Sequence, residues 1–353
     1  MLPPPVKKPD LVCKPDEFIF ADAYLDHGHI YGQCHGLILA GGTLKWVYDP
    51  NPDQVAKFLT KHPGTRVARD YDEILADPEV QMVAAAAIPS ERAAIGQKAM
   101  RAGKHYFTDK TPFTTLEQLE ESRAVHAQTG KKYMVYYGER LCSEAGIYAG
   151  DLIAQGLIGR VIQVMGMGPH RLGAANRPDW FFRKQQYGGI LTDIGSHQCE
   201  QFLHYAGASE ATVLSARVEN FNNPEHPELE DFGEASLVAD NGASNYQRVD
   251  WFTPAGLTTW GDGRTFILGT EGYIELRKNL DLARDTRGSH LFLANGSGEF
   301  SLNVQGQVGA PFFGELILDC LNGTSLAMTQ AHAFKAAELA LKCQEIADAR
   351  RCH

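Results

Sequence analysis

The chain has 353 residues, 44% hydrophobic and 22% charged, with a formal net charge of −10. At roughly 100–200 residues per domain, this size predicts two domains with a sizeable core. An acidic chain with no dense Lys/Arg block argues against nucleic acid or an anionic membrane as partner, and no apolar run approaches the ~18–20 residues that cross a bilayer.

The start, Met1-Leu2-Pro3-Pro4-Pro5-Val6-Lys7-Lys8-Pro9, lacks the apolar core of a secretory signal. Its three successive prolines predict an extended arm, placed over 1–16. Seven cysteines are scattered through the chain, Cys352 the last, with no close CxxC pair. That pattern predicts reduced thiols and a cytoplasmic protein, not a disulfide framework or a zinc ribbon.

From Glu17 onward strand and helix signals alternate. Phe18-Ile19-Phe20-Ala21 reads as a strand, 30–39 as a helix, and Leu44-Lys45-Trp46-Val47-Tyr48 as a second strand. Helical patterns follow at 54–61 and around Ile74-Leu75. Residues 81–88 form an almost continuous apolar run, as a central parallel strand buried on both faces requires. A helix over 91–102 closes at Gly103, a strand covers His105-Tyr106-Phe107-Thr108, a helix over 116–129 ends at Gly130, and Tyr133-Met134-Val135-Tyr136-Tyr137 is a further strand. This alternation predicts a doubly wound parallel sheet with ligands at the C-terminal ends of its strands. After a helix near 146–155, longer strand signals at 160–167, 212–220, 234–239, 244–252 and 272–276 predict a large, mainly antiparallel sheet with helices on one face. The tail over 331–349 reads as helix. The predicted fold class is therefore α/β, with an N-terminal parallel domain at 17–138 and a C-terminal α+β domain at 139–353.

A dinucleotide-binding turn normally carries G-x-G-x-x-G between the first strand and helix. Here the stretch is Ala23-Tyr24-Leu25-Asp26-His27-Gly28-His29, and only the third glycine position is filled. The loop sits where a nucleotide site belongs. Two other readings stay open: a polar loop with no ligand, and a metal cluster of Asp26, His27, His29 and His35, whose spacing fits no established ligand pattern. Asp49, in Val47-Tyr48-Asp49-Pro50, ends the second strand. A carboxylate there can bind the adenosine ribose and repel a 2′-phosphate, or can simply cap the next helix. Lys110, in Thr108-Asp109-Lys110-Thr111-Pro112, follows the fourth parallel strand at the ligand edge. Asp193 and His197, in Tyr187-Gly188-Gly189-Ile190-Leu191-Thr192-Asp193-Ile194-Gly195-Ser196-His197, are four residues apart and share a face if helical. They fit an acid–base pair, or equally a capping Asp and a buried structural His.

These motifs resemble the glucose–fructose oxidoreductase, inositol dehydrogenase and MocA family. Its Glu-Lys-Pro motif appears as Asp109-Lys110-Thr111-Pro112, with Asp for Glu and an inserted Thr. Its G-G-G-x-x-x-D-x-G-x-H appears from Tyr187 to His197, missing only the first glycine. Further matches are Ala102-Gly103-Lys104-His105, Glu139-Arg140, Gly156-Leu157-Ile158-Gly159 and Gly269-Thr270-Glu271-Gly272, so the resemblance covers the chain from about residue 17. It implies a Rossmann domain that binds NAD, with NADP less favoured, and Lys110, Asp193 and His197 as catalytic residues. It implies cofactor contacts from Asp26, His27, Gly28, His29, Asp49, Ile88, Pro89, Arg92, Asp109 and Lys110. Arg92 stands where the family usually has histidine. His170, Arg171, Arg177 and Trp180 are expected to rim a substrate cleft. The resemblance further implies hydride transfer from a secondary hydroxyl of a sugar, glycoside or cyclitol, no metal, and a homodimer or homotetramer paired through the second sheet, whose strands include Tyr246, Trp251 and Phe252. Two rival functions are a redox-neutral enzyme that retains its NAD and a non-enzymatic sugar- or nucleotide-sensing protein.

Overall fold

A computed structural model describes residues 2–351. Six strands form one sheet: β1 (Ile19–Ala23), β2 (Thr43–Tyr48), β3 (Arg66–Val67), β4 (Met82–Ala85), β5 (His105–Asp109) and β6 (Tyr133–Tyr136). All pairings are parallel, in the order β3-β2-β1-β4-β5-β6. This is the doubly wound arrangement, whose order reverses beside β1 and β4 and opens a crevice at the strands' C-terminal ends. β4 is buried along its whole length, which is why its sequence is an unbroken apolar run.

The remaining strands are β7 (Val161–Pro169), β8 (Ala211–Glu219), β9 (Phe232–Ala239), β10 (Ser244–Asp250), β11 (Arg264–Gly269), β12 (Gly272–Arg277), β13 (His290–Asn295) and β14 (Gly298–Asn303). They form a second sheet in the order β14-β13-β12-β11-β7-β10-β9-β8, antiparallel except where β10 meets β7. Alternating burial along β9 and β11 shows one covered face. Three strands of this sheet, β11, β13 and β14, are absent from the sequence expectation. Each is a six-residue stretch beside Gly-, Ser- or Asn-rich turns that dilute its period-2 pattern.

The compact units differ from the expected boundaries. Residues 9–136 and 311–334 make one unit; residues 2–8, 137–310 and 335–351 make the other. The first unit takes back the helix Phe312–Asn322, which sequence reading leaves unassigned. The Phe312 and Phe313 rings lie 5.8 and 6.3 Å from that of Phe107, and Phe313 packs so tightly on Gly36 that a Cβ there would meet it at 2.5 Å. Nearby, Gln330 accepts from the Tyr133 amide (2.8 Å) and donates to its carbonyl (2.6 Å). The expected arm is divided as well. Residues 2–9 hold neither helix nor strand, and the Pro3 carbonyl accepts from the Tyr148 hydroxyl, whereas the Val12 amide donates to the Ala40 carbonyl (3.0 Å). The six described cysteines are free, and Cys352 lies outside the described residues. Among the described residues no helix is long and apolar enough to cross a membrane.

Asp22 is a polar residue of the parallel sheet's core. It is completely buried in β1, and burial pushes its carboxyl up to about 8, eased by the Cys34 thiol. The folded chain therefore keeps a proton that the unfolded chain gives up above pH 4. Stability from this group is fully present below about pH 4 and declines as pH rises to about 8, at up to ~1.4 kcal/mol per pH unit. Asp22→Asn removes the linkage. Its stability relative to the wild type, measured by urea unfolding, is expected to climb from pH 4 to 8 and then level off; a difference independent of pH would refute the assignment.

Candidate active site

The ligand edge of the first unit is built around the loop from Tyr24 to Gly28. Tyr24 holds a left-handed backbone (φ 55°), the conformation a glycine would normally take, and its ring packs edge-on against Tyr48 (5.6 Å) and Tyr71 (5.3 Å). The loop is laced to neighbouring strand ends: the Tyr24 amide donates to the Tyr48 carbonyl (2.9 Å) and the His27 amide to the Ala86 carbonyl (2.9 Å). Asp49 is buried and accepts from the amides of Leu25 (2.6 Å) and Asn51 (2.7 Å). It does not cap the following helix Pro52–Leu59; Asn51 does, by accepting from the Asp53 amide. Gly28 precedes the helix His29–Leu39 with no side-chain cap, and a Cβ on it would meet nothing within 4 Å. An open helix N-terminus with space in front of it suits an anion. Asp26 works against that. Burial pushes its carboxyl up to about 6, helped by the charges of Asp49 and Glu91.

Asp109 ends β5 and is completely buried. His27 Nδ1 lies 2.9 Å from its Oδ2 and His29 Nδ1 2.9 Å from its Oδ1; the Lys110 amide donates to Oδ1 (2.8 Å). Burial would raise this carboxyl, but His29, His27 and Arg92 hold it well below the usual range. His27 is pulled down to about 4 by burial and by His29, against the opposing pull of Asp109. Arg92 is buried, donating to the carbonyls of Ala87 (2.7 Å) and Thr111 (3.0 Å), with Nη2 3.5 Å from Asp109. Its guanidinium braces the loops behind the edge and is not free for a cofactor. Pro89 opens a short 3₁₀ turn (Pro89–Glu91) leading into the helix Arg92–Arg101, with Ile88 half-buried before it. Lys110 is buried beside Asp109.

In the other unit, the expected single helix carrying Asp193 and His197 is interrupted. Asp193 closes a one-turn helix, Ile190–Asp193, and His197 sits in the first turn of the next, Gly195–Ala206. Both are buried. The diglycine has a steric cause. Gly189 has φ 102°, and a Cβ on it would lie 2.3 Å from Gln344. This close approach lets Gln344 accept from the Leu191 amide (3.0 Å) and Glu230 from the Ile190 amide (2.9 Å), which caps the short helix.

The helix bearing His197 is clamped by Glu139 and Arg140. Glu139 accepts from Gln198 (2.8 Å), Gln201 (3.3 Å) and Lys278 (3.1 Å), while Arg140 Nε donates to both oxygens of Glu200 (2.8 and 2.9 Å). Burial would raise the Glu139 carboxyl, but Lys278, His197 and His170 draw it down to about 2. Sequence reading quotes Glu139 only as a motif residue and misses Lys278 altogether. No local pattern links them, since their partnership spans 139 residues.

The expected substrate residues have distinct fates. His170 lies 3.9 Å from Glu139, with its ring against Trp251 (5.5 Å) and Trp260 (4.4 Å). Arg177 lies over Phe181 (4.4 Å) and Trp251 (5.1 Å); burial lowers its pKa and the Asp193 carboxylate opposes this. Trp180 is half-buried against Phe181. Arg171 Nη2 donates to the carbonyls of Pro254 (3.2 Å), Leu257 and Thr259 (3.0 Å), stitching that loop. Trp251 is buried and belongs to this aromatic cluster, so it is not part of the sheet's open face.

A unit with a doubly wound parallel sheet, together with a unit whose large mixed sheet is accompanied by helices bearing a buried Asp/His pair, defines a class of two-unit oxidoreductases built on a nucleotide-binding fold. Residues 23–137 match the family model "Oxidoreductase family, NAD-binding Rossmann fold" and residues 147–275 match "GFO/IDH/MocA C-terminal domain". The chain belongs to the Gfo/Idh/MocA oxidoreductase family. It is 46% identical to a crystallised protein from Erwinia carotovora atroseptica SCRI1043 described in no more detail than as an oxidoreductase, with a TM-score of 0.91 over 94% of this chain and 99% of that one. A levoglucosan dehydrogenase, in complex with NADH and levoglucosan, shares the fold at 18% identity and a TM-score of 0.80, covering 94% and 97% of the two chains. A D-xylose dehydrogenase of Paenarthrobacter nicotinovorans is 32% identical over 152 residues, 42% of this chain and 39% of that protein. The chain thus aligns with less than half the length of that curated relative.

Glu139 yields a direct test. A carboxyl drawn down to about 2 contributes stability that is present above the unfolded pKa near 4.5 and is lost as pH falls toward 2. Glu139→Gln is expected to cost on the order of 3 kcal/mol at pH 7. The gap from wild type should close between about pH 4.5 and 2 in chemical denaturation; a gap that stays constant would exclude the ionic clamp.

Proposed function

We propose that the protein is an NAD-dependent oxidoreductase that removes hydride from a secondary hydroxyl of a sugar, glycoside or cyclitol. The observation that carries the reading is that Lys110, Asp193 and His197 are all present and all buried, each on a turn the surrounding structure holds in place. A buried acid–base residue on a rigid support is what proton transfer from a fixed hydroxyl requires while hydride leaves the same carbon.

The parallel sheet edge, the uncapped helix at Gly28 and the carboxylate of Asp49 fit a dinucleotide, with Asp49 favouring NAD over NADP. When bound, the nicotinamide supplies the hydride acceptor. The chain's own part is proton handling and orientation. His197 takes the hydroxyl proton, Lys110 holds the hydroxyl oxygen, and Asp193 orients the substrate together with Arg177. His170 and Trp180 complete the sugar-binding surface, and the imidazolium formed at His197 is favoured by the Glu139 carboxylate. The exposed Tyr246 and Phe252 support pairing of the second sheet with another subunit.

The test is absorbance at the NADH band with purified protein, NAD and a panel of inositols, aldoses and glycosides. Turnover is expected with at least one, and His197→Ala should lower kcat by about 10²–10⁴-fold with the melting temperature kept. Tightly bound nucleotide with substrate conversion but no NADH release would point to the redox-neutral enzyme; neither binding nor conversion would sink both readings. Asp49→Ser should weaken NAD and relax its preference over NADP, and an unchanged ratio of the two affinities would remove Asp49 from cofactor selection.

A further inference from the structure

His27 and His29 reach Asp109 from a loop some 80 residues earlier in the chain, and each places Nδ1 2.9 Å from a different oxygen of one carboxylate. The three ligand atoms lie within 4.8 Å of one another. We propose that His27, His29 and Asp109 form a site for a divalent first-row ion of the Zn²⁺ type. This replaces the local cluster of Asp26, His27, His29 and His35: Asp26 and His35 drop out, and the third ligand comes from the end of β5.

Two imidazoles and a carboxylate are a donor set that borderline ions accept. Bonds of about 2.0–2.2 Å hold neighbouring ligand atoms roughly 3–3.5 Å apart; each Nδ1 already lies 2.9 Å from one Asp109 oxygen, and modest side-chain shifts would close the set around an ion. The outer partners are also in place. The Lys110 amide donates to Oδ1 (2.8 Å), and Arg92 Nη2 stands 3.5 Å from Oδ2 with its guanidinium pinned by the Ala87 and Thr111 carbonyls. Such contacts orient a ligating carboxylate before the ion arrives. Without an ion each neutral imidazole donates Nδ1–H to Asp109; for Nδ1 to take an ion, that single ring proton moves to Nε2, so coordination needs no net proton loss. The His29 side chain is 42% exposed, so the site is accessible. Three protein ligands leave a coordination position open to an oxygen donor. The site lies at the C-terminal ends of the parallel strands, beside the loop whose glycines are largely replaced. A cation there would offset Asp26 and Asp49 and offer a diphosphate or hydroxyl oxygen a direct bond.

The test uses the full-length, untagged protein, stripped with EDTA and titrated with Zn²⁺ and Co²⁺. Bound ion is counted by elemental analysis and Co²⁺ is followed by its visible absorption. One ion per chain is expected. His29→Gln, at a partly exposed position, and His27→Gln should each weaken binding by about tenfold or more, while His35→Gln should bind as the wild type does. Circular dichroism confirms that the variants fold. No retained ion, or equal retention in all three variants, overturns the site and leaves the cluster a hydrogen-bonded brace. NADH fluorescence titration of the stripped protein separates this proposal from the one above. Dinucleotide binding without Zn²⁺ binding removes only the metal site; Zn²⁺ binding with no dinucleotide under any condition removes only the cofactor reading.

Discussion

A carboxylate with no access to water must be answered by donors inside the protein, and at Asp109 that requirement organises the whole ligand edge of the parallel sheet. Its four donors come from three places: His27 and His29 from the loop after β1, Arg92 from the helix after β4, and the amide of Lys110 next in sequence. Satisfying one buried charge therefore ties the first loop across β4 to the end of β5. The same contacts set the position of Lys110 and fix the two imidazoles. Arg92 extends the tie by holding the carbonyls of Ala87 and Thr111.

The second unit answers the same problem with a different carboxylate. Glu139 is buried and faces Lys278, Gln198 and Gln201, and the last two lie on the helix that carries His197. Arg140, next in sequence, holds Glu200 on that helix. Two consecutive residues of opposite charge thus grip one helix at three points. In the proposed reading, where His197 takes the hydroxyl proton, such rigidity would matter because small displacements of a reacting group cost large factors in rate.

Much of this was legible in the sequence where the signal is local. The helix over Leu116–Thr129 matches its expected bounds, with Thr115 accepting from the Gln118 amide at one end and Gly130 at φ 66° at the other. β4 is legible because burial on both faces leaves an unbroken apolar run. What was not legible depends on partners far away in sequence. The helix Phe312–Asn322 rejoins the first unit because of where Phe107 and Gly36 lie, which no window around Phe312 reveals. Arg171 is expected beside His170 at the rim of a cleft, and only the folded loop at 254–259 shows the carbonyls its Nη2 holds. Spacing puts Asp193 and His197 on one helix; the fold divides it into two segments at Ile194, whose backbone stays helical (φ −82°, ψ −38°).

The two glycine features of the chain also show why one family motif is nearly intact and the other is degraded. Gly189 is fixed by the fold itself: its φ of 102° disfavours any side chain, and a Cβ would collide with Gln344 at 2.3 Å, so replacing it dislodges the cap of the helix that ends at Asp193. Gly28 has an ordinary φ of −61° and open space around it. Nothing in the protein's own packing requires glycine there. Tyr24 carries the point further, because it occupies a left-handed position and its ring is held by Tyr48 and Tyr71. In this loop aromatic packing and the Asp109 cluster hold the backbone course that glycines provide elsewhere. The loop's course is thus kept by side-chain contacts that its own residues supply, whereas the turn before His197 is kept by a glycine the fold cannot replace.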